Sequence, residues 1–234
     1  GSLKVGWLVG RVISRVGRVG KNAVFWFEPQ GVMAVNLGMT GRLVLAQGDL
    51  SRSSHDKRHL HGRFVLEGTL NLCYYDTRRF GYVYVAENCD FRRDLNIGPD
   101  PFQARPMRLR KTLSGRSAPI KSLLLDQRIV SGLGNIYTDE LLFEAGVHPL
   151  TPGDAVSGKA RDLLSAARRI LDRAIAHGGS TVRDYRKHDG STGGFQCFHA
   201  VYGRKDEPCL RCGTPIRKIT LSGRGTHFCP VCQS

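Results

Sequence analysis

Four cysteines near the end of the chain form two pairs, and this spacing constrains the local fold more than any other feature. Cys209 and Cys212 are separated by two residues, as are Cys229 and Cys232. Thiolates in this pattern can surround one tetrahedral Zn²⁺ and leave no coordination position open. We therefore predict one structural zinc ion per chain, with no role in metal chemistry.

The segment between the cysteine pairs predicts a rigid β-hairpin with an exposed tip. It contains Ser222-Gly223-Arg224-Gly225-Thr226, in which Arg224 is flanked by two glycines. Glycine lets a backbone turn tightly and come close to another surface. Spacing alone leaves open that the four cysteines are free or disulfide-bonded. It also does not say whether the hairpin binds nucleic acid, protein or nothing.

The charge balance indicates a polyanionic partner. The chain has 35 Lys and Arg against 20 Asp and Glu, a net charge of +15, with a pI near 9.9. Basic residues are spread along the whole sequence, and nucleic acid is the leading candidate. A ribosome-associated protein or a merely soluble basic protein remains the alternative.

The sequence has the composition of a folded protein of the reducing cytoplasm. Hydrophobic residues make up 41% of the 234 positions, enough to bury real cores. We find no apolar run of about eighteen residues and no secretory signal, so neither a membrane span nor export is expected. Seven cysteines, four of them in the zinc pattern, also favour a reducing compartment.

Hydrophobic periodicity predicts an α+β architecture in three parts. Alternating runs rich in Val, Phe and Tyr, separated by Gly and Asp or Asn, predict an antiparallel β-sandwich in residues 1–98. Residues 99–194 would hold a helical domain, and residues 195–234 the zinc-finger hairpin. The strand-like runs are residues 23–27, 32–35, 63–66, 70–75 and 82–85, and residues 47–62 are expected to form a polar loop.

The helical part begins, on this interpretation, with a connector. Residues 99–116 contain prolines and many basic residues, and the helical period is expected to begin only after them. Helices are then expected around residues 123–126, from Asn135 to about Gly146, and around residues 163–175. Apolar residues at three- and four-residue steps predict the last of these, and Gly178-Gly179 would end it.

Gly132-Leu133-Gly134-Asn135 lies just ahead of a predicted helix. The free amides and the dipole of a helix N-terminus can hold a phosphate, to which Asn135 could add its side chain. A plain loop that caps the helix explains the same residues equally well.

The chain resembles the formamidopyrimidine-DNA glycosylase/endonuclease VIII family of base-excision repair enzymes. The matching motifs occur in the family order and cover the sequence from about residue 10 to its end, which makes the resemblance highly specific. They are residues 36–41 (Asn-Leu-Gly-Met-Thr-Gly), 76–81 (Asp-Thr-Arg-Arg-Phe-Gly), 132–137 (Gly-Leu-Gly-Asn-Ile-Tyr), 178–181 (Gly-Gly-Ser-Thr), 201–205 (Val-Tyr-Gly-Arg-Lys) and 223–229 in the zinc segment.

The resemblance implies an incomplete N-terminal β-sandwich, a helix-two-turn-helix domain and a zinc-finger hairpin that together hold duplex DNA with an oxidised base or an abasic site. Asn135 and Arg224 would grip phosphates around the lesion. Met39, Arg78 and Phe80 would fill the gap left by a flipped-out nucleotide. The other DNA contacts implied in this way are Lys21, His59 and Lys121.

One departure concerns the catalytic amine. Members of the family start at a proline that attacks the sugar C1′, followed by a glutamate that acts in proton transfer, whereas this chain starts Gly1-Ser2-Leu3. We therefore expect the catalytic terminus, the first helix and about two strands to be missing. Lys21 is the candidate alternative amine, although an ordinary lysine is neutral in only about 0.04% of molecules at pH 7. A second departure is Asn36, where many members of this branch have histidine.

Three functional hypotheses follow. The first is a base-excision repair protein whose parent activity excises oxidised purines and cleaves the strand as an AP lyase. The second is a non-catalytic or lyase-only protein that binds lesions or abasic sites. The third is a general zinc-ribbon nucleic-acid-binding protein, which would leave the ordered motifs of the first 140 residues without a purpose. In each case we expect a monomer of the bacterial cytoplasm, associated with the nucleoid.

Overall fold

The computed structural model describes residues 5–48, 57–87, 90–181 and 191–234. The chain divides into two compact units. The first comprises residues 1–91 with 181–193, and the second residues 92–180 with 194–234. The expected boundaries near residues 98 and 194 remain predictions.

The first unit contains two antiparallel sheets. Four strands lie in the order β1-β2-β3-β7, and three lie in the order β4-β6-β5. A short 3-10 helix, Gly6–Leu8, precedes β1, and another, Lys57–His59, precedes β5. The strands are β1 (Val12–Val19), β2 (Asn22–Glu28), β3 (Val32–Asn36), β4 (Gly41–Gln47), β5 (Leu60–Val65), β6 (Leu70–Asp76) and β7 (Tyr82–Ala86).

Side chains from both sheets form one apolar core. Phe25, Met33 and Val35 from the first sheet pack with Leu72 and Tyr74 from the second. The predicted β-sandwich is thus confirmed. Strands β1 and β4 were missed by the search for runs rich in Val, Phe and Tyr, because Ser14, Arg15, Gly17 and Arg18 interrupt the apolar residues of β1 and because β4 contains no Phe or Tyr.

The second unit is built from helices around a separate core. The long helix α5 packs against α4 and α2, and leucines from all three are buried together. A 3-10 helix, Asp154–Lys159, leads into α5, and another, Phe195–Phe198, follows later in the chain. The helices are α1 (Phe91–Asp94), which begins at the last residue of the first unit, α2 (Pro106–Leu113), α3 (Ile120–Leu125), α4 (Asn135–Glu144) and α5 (Ala160–Ala176).

The expectation that helices begin only after the connector was wrong, because residues 106–113 form helix α2. Pro106 occupies the first turn, where its missing N–H costs nothing. Leu109 and Leu113, one helical turn apart, are buried in the core. The many basic residues around these two leucines obscured the helical period. The polar loop expected over residues 47–62 ends earlier than predicted, because β5 begins at Leu60. Residues 49–56 of this loop lie outside the described part of the chain.

A β-hairpin follows the helices, as predicted. Strands β8 (Arg217–Leu221) and β9 (Arg224–Phe228) pair antiparallel. Phe143 of α4 packs with Val201, Ile216 and the zinc-pattern residues Cys209 and Cys229 in one buried cluster. This cluster attaches the hairpin module to α4. Among the described residues, no helix is both long and apolar enough for a membrane crossing.

Candidate DNA interface and zinc site

The four predicted zinc ligands come together in space. Their sulfur atoms all lie within 4.8 Å of one another. The Sγ atoms of Cys209 and Cys232 are 3.9 Å apart, and those of Cys212 and Cys229 are 3.5 Å apart. Zn–S bonds of about 2.3 Å in a tetrahedron place sulfur atoms about 3.8 Å apart. The cluster therefore has the ligand type, number and spacing of a closed structural zinc site.

Arg224 stands at the tip of the hairpin that this site supports. The two turn residues, Ser222 and Gly223, have φ angles of 50° and 73°. A two-residue turn with both φ values positive matches the twist of paired strands, and glycine adopts it without strain. Leu221 pairs with Arg224 across the turn, and the Arg224 side chain is exposed. Its guanidinium is thus available to a ligand.

A braced turn lies ahead of α4. Gln127 accepts a 2.9 Å hydrogen bond from the Gly132 amide and donates a 3.0 Å bond to the Leu133 carbonyl. Gly134 precedes the helix with extended backbone and no side-chain cap, and its carbonyl accepts the first helical bond, from the amide of Thr138. The first amides of a helix have no partner inside it, and they point along the positive end of the helix dipole.

The turn and the hairpin are joined directly. Asn135 Nδ2 donates a 2.9 Å hydrogen bond to the Gly225 carbonyl, and Lys121 Nζ donates a 3.1 Å bond to the same oxygen. Lys121 also donates a 2.8 Å bond to Thr226 Oγ1. Two elements far apart in sequence, both predicted to bind phosphate, therefore form one surface. A side-chain amide has two N–H donors, so one Nδ2 donor of Asn135 remains beyond the bond to Gly225.

Lys121 does not lie on that surface. Its side chain has no exposed area and forms a 2.6 Å ion pair with Asp139 Oδ1. Burial lowers the pKa of Lys121, the Asp139 carboxylate opposes that shift, and the positive charge of Arg224 adds to it. Lys121 was predicted as a DNA contact, but its ammonium faces the protein interior. It holds the hairpin in position behind Arg224.

Two buried carboxylates of α4 complete the support, and the sequence patterns did not single them out for this role. Asp139 accepts a 2.9 Å bond from the His227 amide on β9. Glu140 accepts bonds of 2.8 to 3.0 Å from the three successive amides of residues 200–202. Burial raises the pKa of Glu140, and these amides oppose the shift. The signal available in the sequence was that both acids lie among apolar residues in a predicted helix. A carboxylate buried at such a position needs a partner.

In the first unit, the three predicted gap-filling side chains lie together on the surface. Met39 is 57% exposed and Phe80 58% exposed. The Arg78 guanidinium lies 4.7 Å from the centroid of the Phe80 ring, and its Nη1 is 3.7 Å from Met39 Sδ. Side chains that pack in a core are buried, so Met39 and Phe80 do not have that role. Exposed apolar side chains grouped on a surface are typical of a binding site. The arrangement can enter a duplex and stack on bases.

Asp76 holds the two loops that carry these side chains. Its carboxylate accepts bonds from Thr40 Oγ1 (2.5 Å), the Gly81 amide (2.8 Å), the Arg78 amide (3.2 Å) and the Tyr74 hydroxyl (3.2 Å). Burial by itself raises the pKa of Asp76, but the hydrogen bonds outweigh it and the net shift is downward. Asp76 is therefore an ionised carboxylate that is hydrogen-bonded to both the loop that carries Met39 and the loop that carries Phe80.

Lys21 lies in the tight turn between β1 and β2, and its side chain is exposed. The next residue, Asn22, is buried, and its Oδ1 accepts bonds from Tyr82 (2.9 Å) and Asn36 (3.4 Å). Asn36 Oδ1 in turn accepts a 2.9 Å bond from the Gly38 amide. These bonds link the Lys21 turn to the loop that presents Met39.

His59 lies at the end of the 3-10 helix before β5 and is partly exposed. Two residues later, His61 Nε2 is 2.8 Å from the Asp76 carbonyl oxygen. The predicted roles of Lys21 and His59 as DNA contacts remain predictions.

The fold and these two surfaces define a class of protein: a DNA-binding repair protein with a β-sandwich, a helix-two-turn-helix domain and a zinc finger. Three family models match in that order. They are the formamidopyrimidine-DNA glycosylase N-terminal domain over residues 4–83, the formamidopyrimidine-DNA glycosylase H2TH domain over residues 97–186, and the zinc finger found in FPG and IleRS over residues 206–234.

Relatives and solved structures agree. A formamidopyrimidine-DNA glycosylase of Bacillus subtilis is 41% identical over 97% of this chain and 83% of its own length. The Lactococcus lactis FPG (MutM) complex with DNA containing Fapy-dG is similar with a TM-score of 0.84 at 35% identity, covering 97% of this chain and 84% of that one. The L. lactis Fpg complex with abasic-site DNA has a TM-score of 0.83 at 34% identity, with the same coverage. The chain belongs to the formamidopyrimidine-DNA glycosylase family and has a function in base-excision DNA repair.

Proposed function

We propose that this protein binds duplex DNA at an oxidised purine or an abasic site, with excision of the base and AP-lyase cleavage of the strand as its activity. The observation that carries the proposal is the hydrogen bond from Asn135 to Gly225, which fixes the amide-rich start of α4 beside the Arg224 finger. The two structures of Lactococcus lactis Fpg, one with Fapy-dG DNA and one with abasic-site DNA, support the choice of lesion.

The second unit would hold the DNA backbone. Arg224 offers an exposed guanidinium, which can bind a phosphate through two parallel hydrogen bonds. The amides at the start of α4 and the second Nδ2 donor of Asn135 would bind a neighbouring phosphate. Lys121 and Asp139 keep these donors in position but do not touch DNA. Phosphate contacts of this kind fix the position of a protein on DNA and carry no sequence information.

The first unit would stabilise the opened duplex. Flipping a nucleotide costs a few kcal/mol of stacking and pairing. Met39 and Phe80 are already exposed, so they can insert into the duplex without leaving the protein core. There they would pack against the bases next to the flipped nucleotide, which have lost their stacking partner. Arg78, next to both side chains, would provide hydrogen-bond donors to the unpaired base. His59 and Lys21 would add contacts on this unit.

Lys21 is the candidate amine within this chain. Condensation of its neutral Nζ with the C1′ aldehyde of an abasic site forms an imine and releases one water molecule, and borohydride reduces that imine to a stable amine. Lys21 is exposed, so an aldehyde can reach it, and an aldehyde condenses with many amines, whereas base excision needs a nucleophile and an acid together. This observation favours a second candidate function, AP-lyase action at existing abasic sites without base excision.

Borohydride trapping on two duplexes tests these assignments. Covalent capture on a duplex with 8-oxoguanine supports excision and lyase activity together. Capture on the abasic duplex alone supports the lyase, and Lys21→Ala should then abolish it, while Lys218→Ala, at another exposed lysine, should not. Binding that does not distinguish damaged from intact duplex would contradict the proposal and leave a general zinc-ribbon protein.

The proposed setting is the bacterial cytoplasm, where the protein would act on the nucleoid as a monomer. The relative from Bacillus subtilis is bacterial, and a thiolate zinc site suits a reducing compartment. Size-exclusion chromatography with light scattering should give one chain per particle both free and on a short duplex.

A further inference from the structure

Helix α2 lies in a stretch of the sequence that is rich in cations. The segment from Pro101 to Leu125 contains six Lys or Arg and no Asp or Glu. Lys121 is one of the six and is paired with Asp139 in the interior. The other five lie on α2 or beside it, and we call four of them the α2 cations: Arg105, Arg108, Arg110 and Lys111.

The α2 cations are exposed and unpaired. All four side chains are exposed, and none forms an ion pair with a carboxylate in the described part of the chain. Some other surface cations of the second unit do have acidic partners: Arg169 and Arg211 share Glu144, and Arg128 binds Asp126. What distinguishes the α2 surface is that four exposed cations without ion pairs in the described residues lie within seven positions of the chain.

Helical geometry gathers three of these cations on one face. At about 100° per residue, Arg110, Met107, Lys111 and Arg108 follow one another around the outer side of α2. Leu109 and Leu113 lie on the opposite side and are buried. Met107, at the centre of the outer face, is 71% exposed. The outer face thus has one flexible apolar side chain surrounded by three cations.

We propose that this α2 face is a second DNA contact, which binds backbone phosphates outside the lesion site. The face, from Met107 to Lys111, is about 6 Å long, and duplex DNA carries one phosphate charge per about 1.7 Å of axis, so about three to four charges pass along it. Arginine and lysine on a helix side match such a dense, regular array without reading bases. The contact serves retention on undamaged DNA during search, a role separate from holding the lesion.

The triple variant R108Q/R110Q/K111Q tests this contact. Glutamine has a helix propensity close to those of Arg and Lys, so α2 is preserved. Loss of three phosphate contacts should lower the slope of log K against log salt by about 2.7. Binding to an undamaged duplex and to an abasic duplex should weaken by the same factor, at least about tenfold at low salt. Fluorescence anisotropy over a salt series measures both.

A matched variant and a gain-of-charge variant keep the test decisive. R93Q/K159Q/R161Q removes three exposed cations of the same unit and should leave the slope nearly unchanged. M107K adds a cation at the centre of the face and should increase the slope by about 0.9, a result that misfolding cannot produce.

Three outcomes would overturn the proposal. An equal loss from the control triple would show a bulk effect of net charge. A loss confined to the abasic duplex would place α2 in the lesion site. Unchanged DNA binding by R108Q/R110Q/K111Q, with lost binding to vesicles of anionic phospholipid, would make the face a membrane contact. The lesion-binding function itself is tested separately by trapping, so the two proposals can fail independently.

Discussion

Asn135 Nδ2 and the Gly225 carbonyl oxygen are 2.9 Å apart, although 90 residues separate them in the sequence. This bond ties the start of α4 to the hairpin that presents Arg224. The buried Lys121 donates to the same carbonyl oxygen, so the tie has two donors. Zinc stiffens the hairpin from one end, and α4 holds it near its tip. The groups proposed to bind phosphate in the second unit are therefore held in place by the protein itself.

Removing the Arg224 guanidinium should weaken DNA binding without disturbing the zinc site. Arg224→Ala should lower the slope of log K against log salt by about 0.9, the value for one phosphate contact. Zinc content, measured by elemental analysis, should stay at one ion per chain because the cysteine cluster does not involve the hairpin tip. Arg224→Lys should retain the slope but bind less tightly, since it lacks the bidentate geometry. Unchanged affinity of Arg224→Ala would contradict the docking model.

Breaking the buried ion pair should destabilise the second unit. Lys121→Met leaves the Asp139 carboxylate buried without its 2.6 Å partner, which costs about 3–5 kcal/mol. Lys121→Met with Asp139→Asn should recover part of this loss, because both charges are gone and an amide oxygen can still accept from the His227 amide.

Urea titration followed by far-UV circular dichroism measures this unit, because α2 to α5 all lie within it. Both tryptophans, Trp7 and Trp26, lie in the first unit, so the fluorescence midpoint should not move. Equal destabilisation by the single and double variants would show that the lost charge pairing is not the cause.

The sequence predicted the elements with a strong period or a strict ligand pattern. The four cysteines, α4, α5 and five strands were found in this way. Helix α2 was missed because its apolar signal consists of Leu109 and Leu113 within a basic stretch. Strands β1 and β4 were missed because polar residues and Gly17 interrupt the apolar residues of β1, and because β4 lacks the aromatic residues typical of the other predicted strands.

The sequence pointed to the surface residues of the candidate site, whose roles in DNA binding stay predictions, and did not point to the residues that support them. Arg224, Asn135, Met39, Arg78 and Phe80 all lie at the surface or at its edge, where a family motif points to function. Lys121 was predicted to contact DNA because the sequence does not show whether a lysine is exposed to solvent or paired with a buried carboxylate. Its partner Asp139 is on another helix, and only the fold brings the two together.

Zinc removal should unfold the hairpin module and leave the first unit intact. The cysteines also form part of the apolar cluster with Phe143 and Val201, so chelation should lower the circular dichroism midpoint of the second unit. The tryptophan fluorescence midpoint should stay constant. Cys212→Ser should reproduce the effect, because one neutral hydroxyl replaces a thiolate ligand, and Cys73→Ser, outside the cluster, should leave zinc content unchanged. Retained DNA affinity after chelation would contradict the role of the finger.

Protonation or removal of Asp76 should loosen the loops that carry Met39 and Phe80. The pKa of this carboxyl is lowered in the folded protein, so its stabilising effect is present above the ordinary carboxyl pKa of about 3.9 and is lost as pH falls below it. Asp76→Asn should lower the tryptophan fluorescence midpoint at neutral pH and flatten its acid dependence. Glu67→Gln, at an exposed carboxylate, is the matched control and should leave the midpoint at neutral pH unchanged.

A buried histidine should make the second unit sensitive to mild acid. His199 Nε2 is 3.0 Å from Ser180 Oγ, and both side chains are buried. Burial lowers the pKa of His199, and a backbone hydrogen bond with Tyr202 opposes that shift. The folded state thus holds the ring neutral, while the unfolded chain takes up a proton near pH 6.5. Stability from this residue is therefore full above about pH 6.5 and decreases as pH falls below that value.

His199→Leu should remove this loss of stability below about pH 6.5. At pH 7.5 the variant also loses the bond to Ser180, which costs about 1 kcal/mol. Ser180→Ala loses the same hydrogen bond but retains the imidazole, so it should be destabilised at pH 7.5 and keep the wild-type acid dependence. Circular dichroism melts at a series of pH values separate the two effects. If His199→Leu and the wild type lose stability in parallel as pH falls, another group is responsible for the acid sensitivity of the second unit.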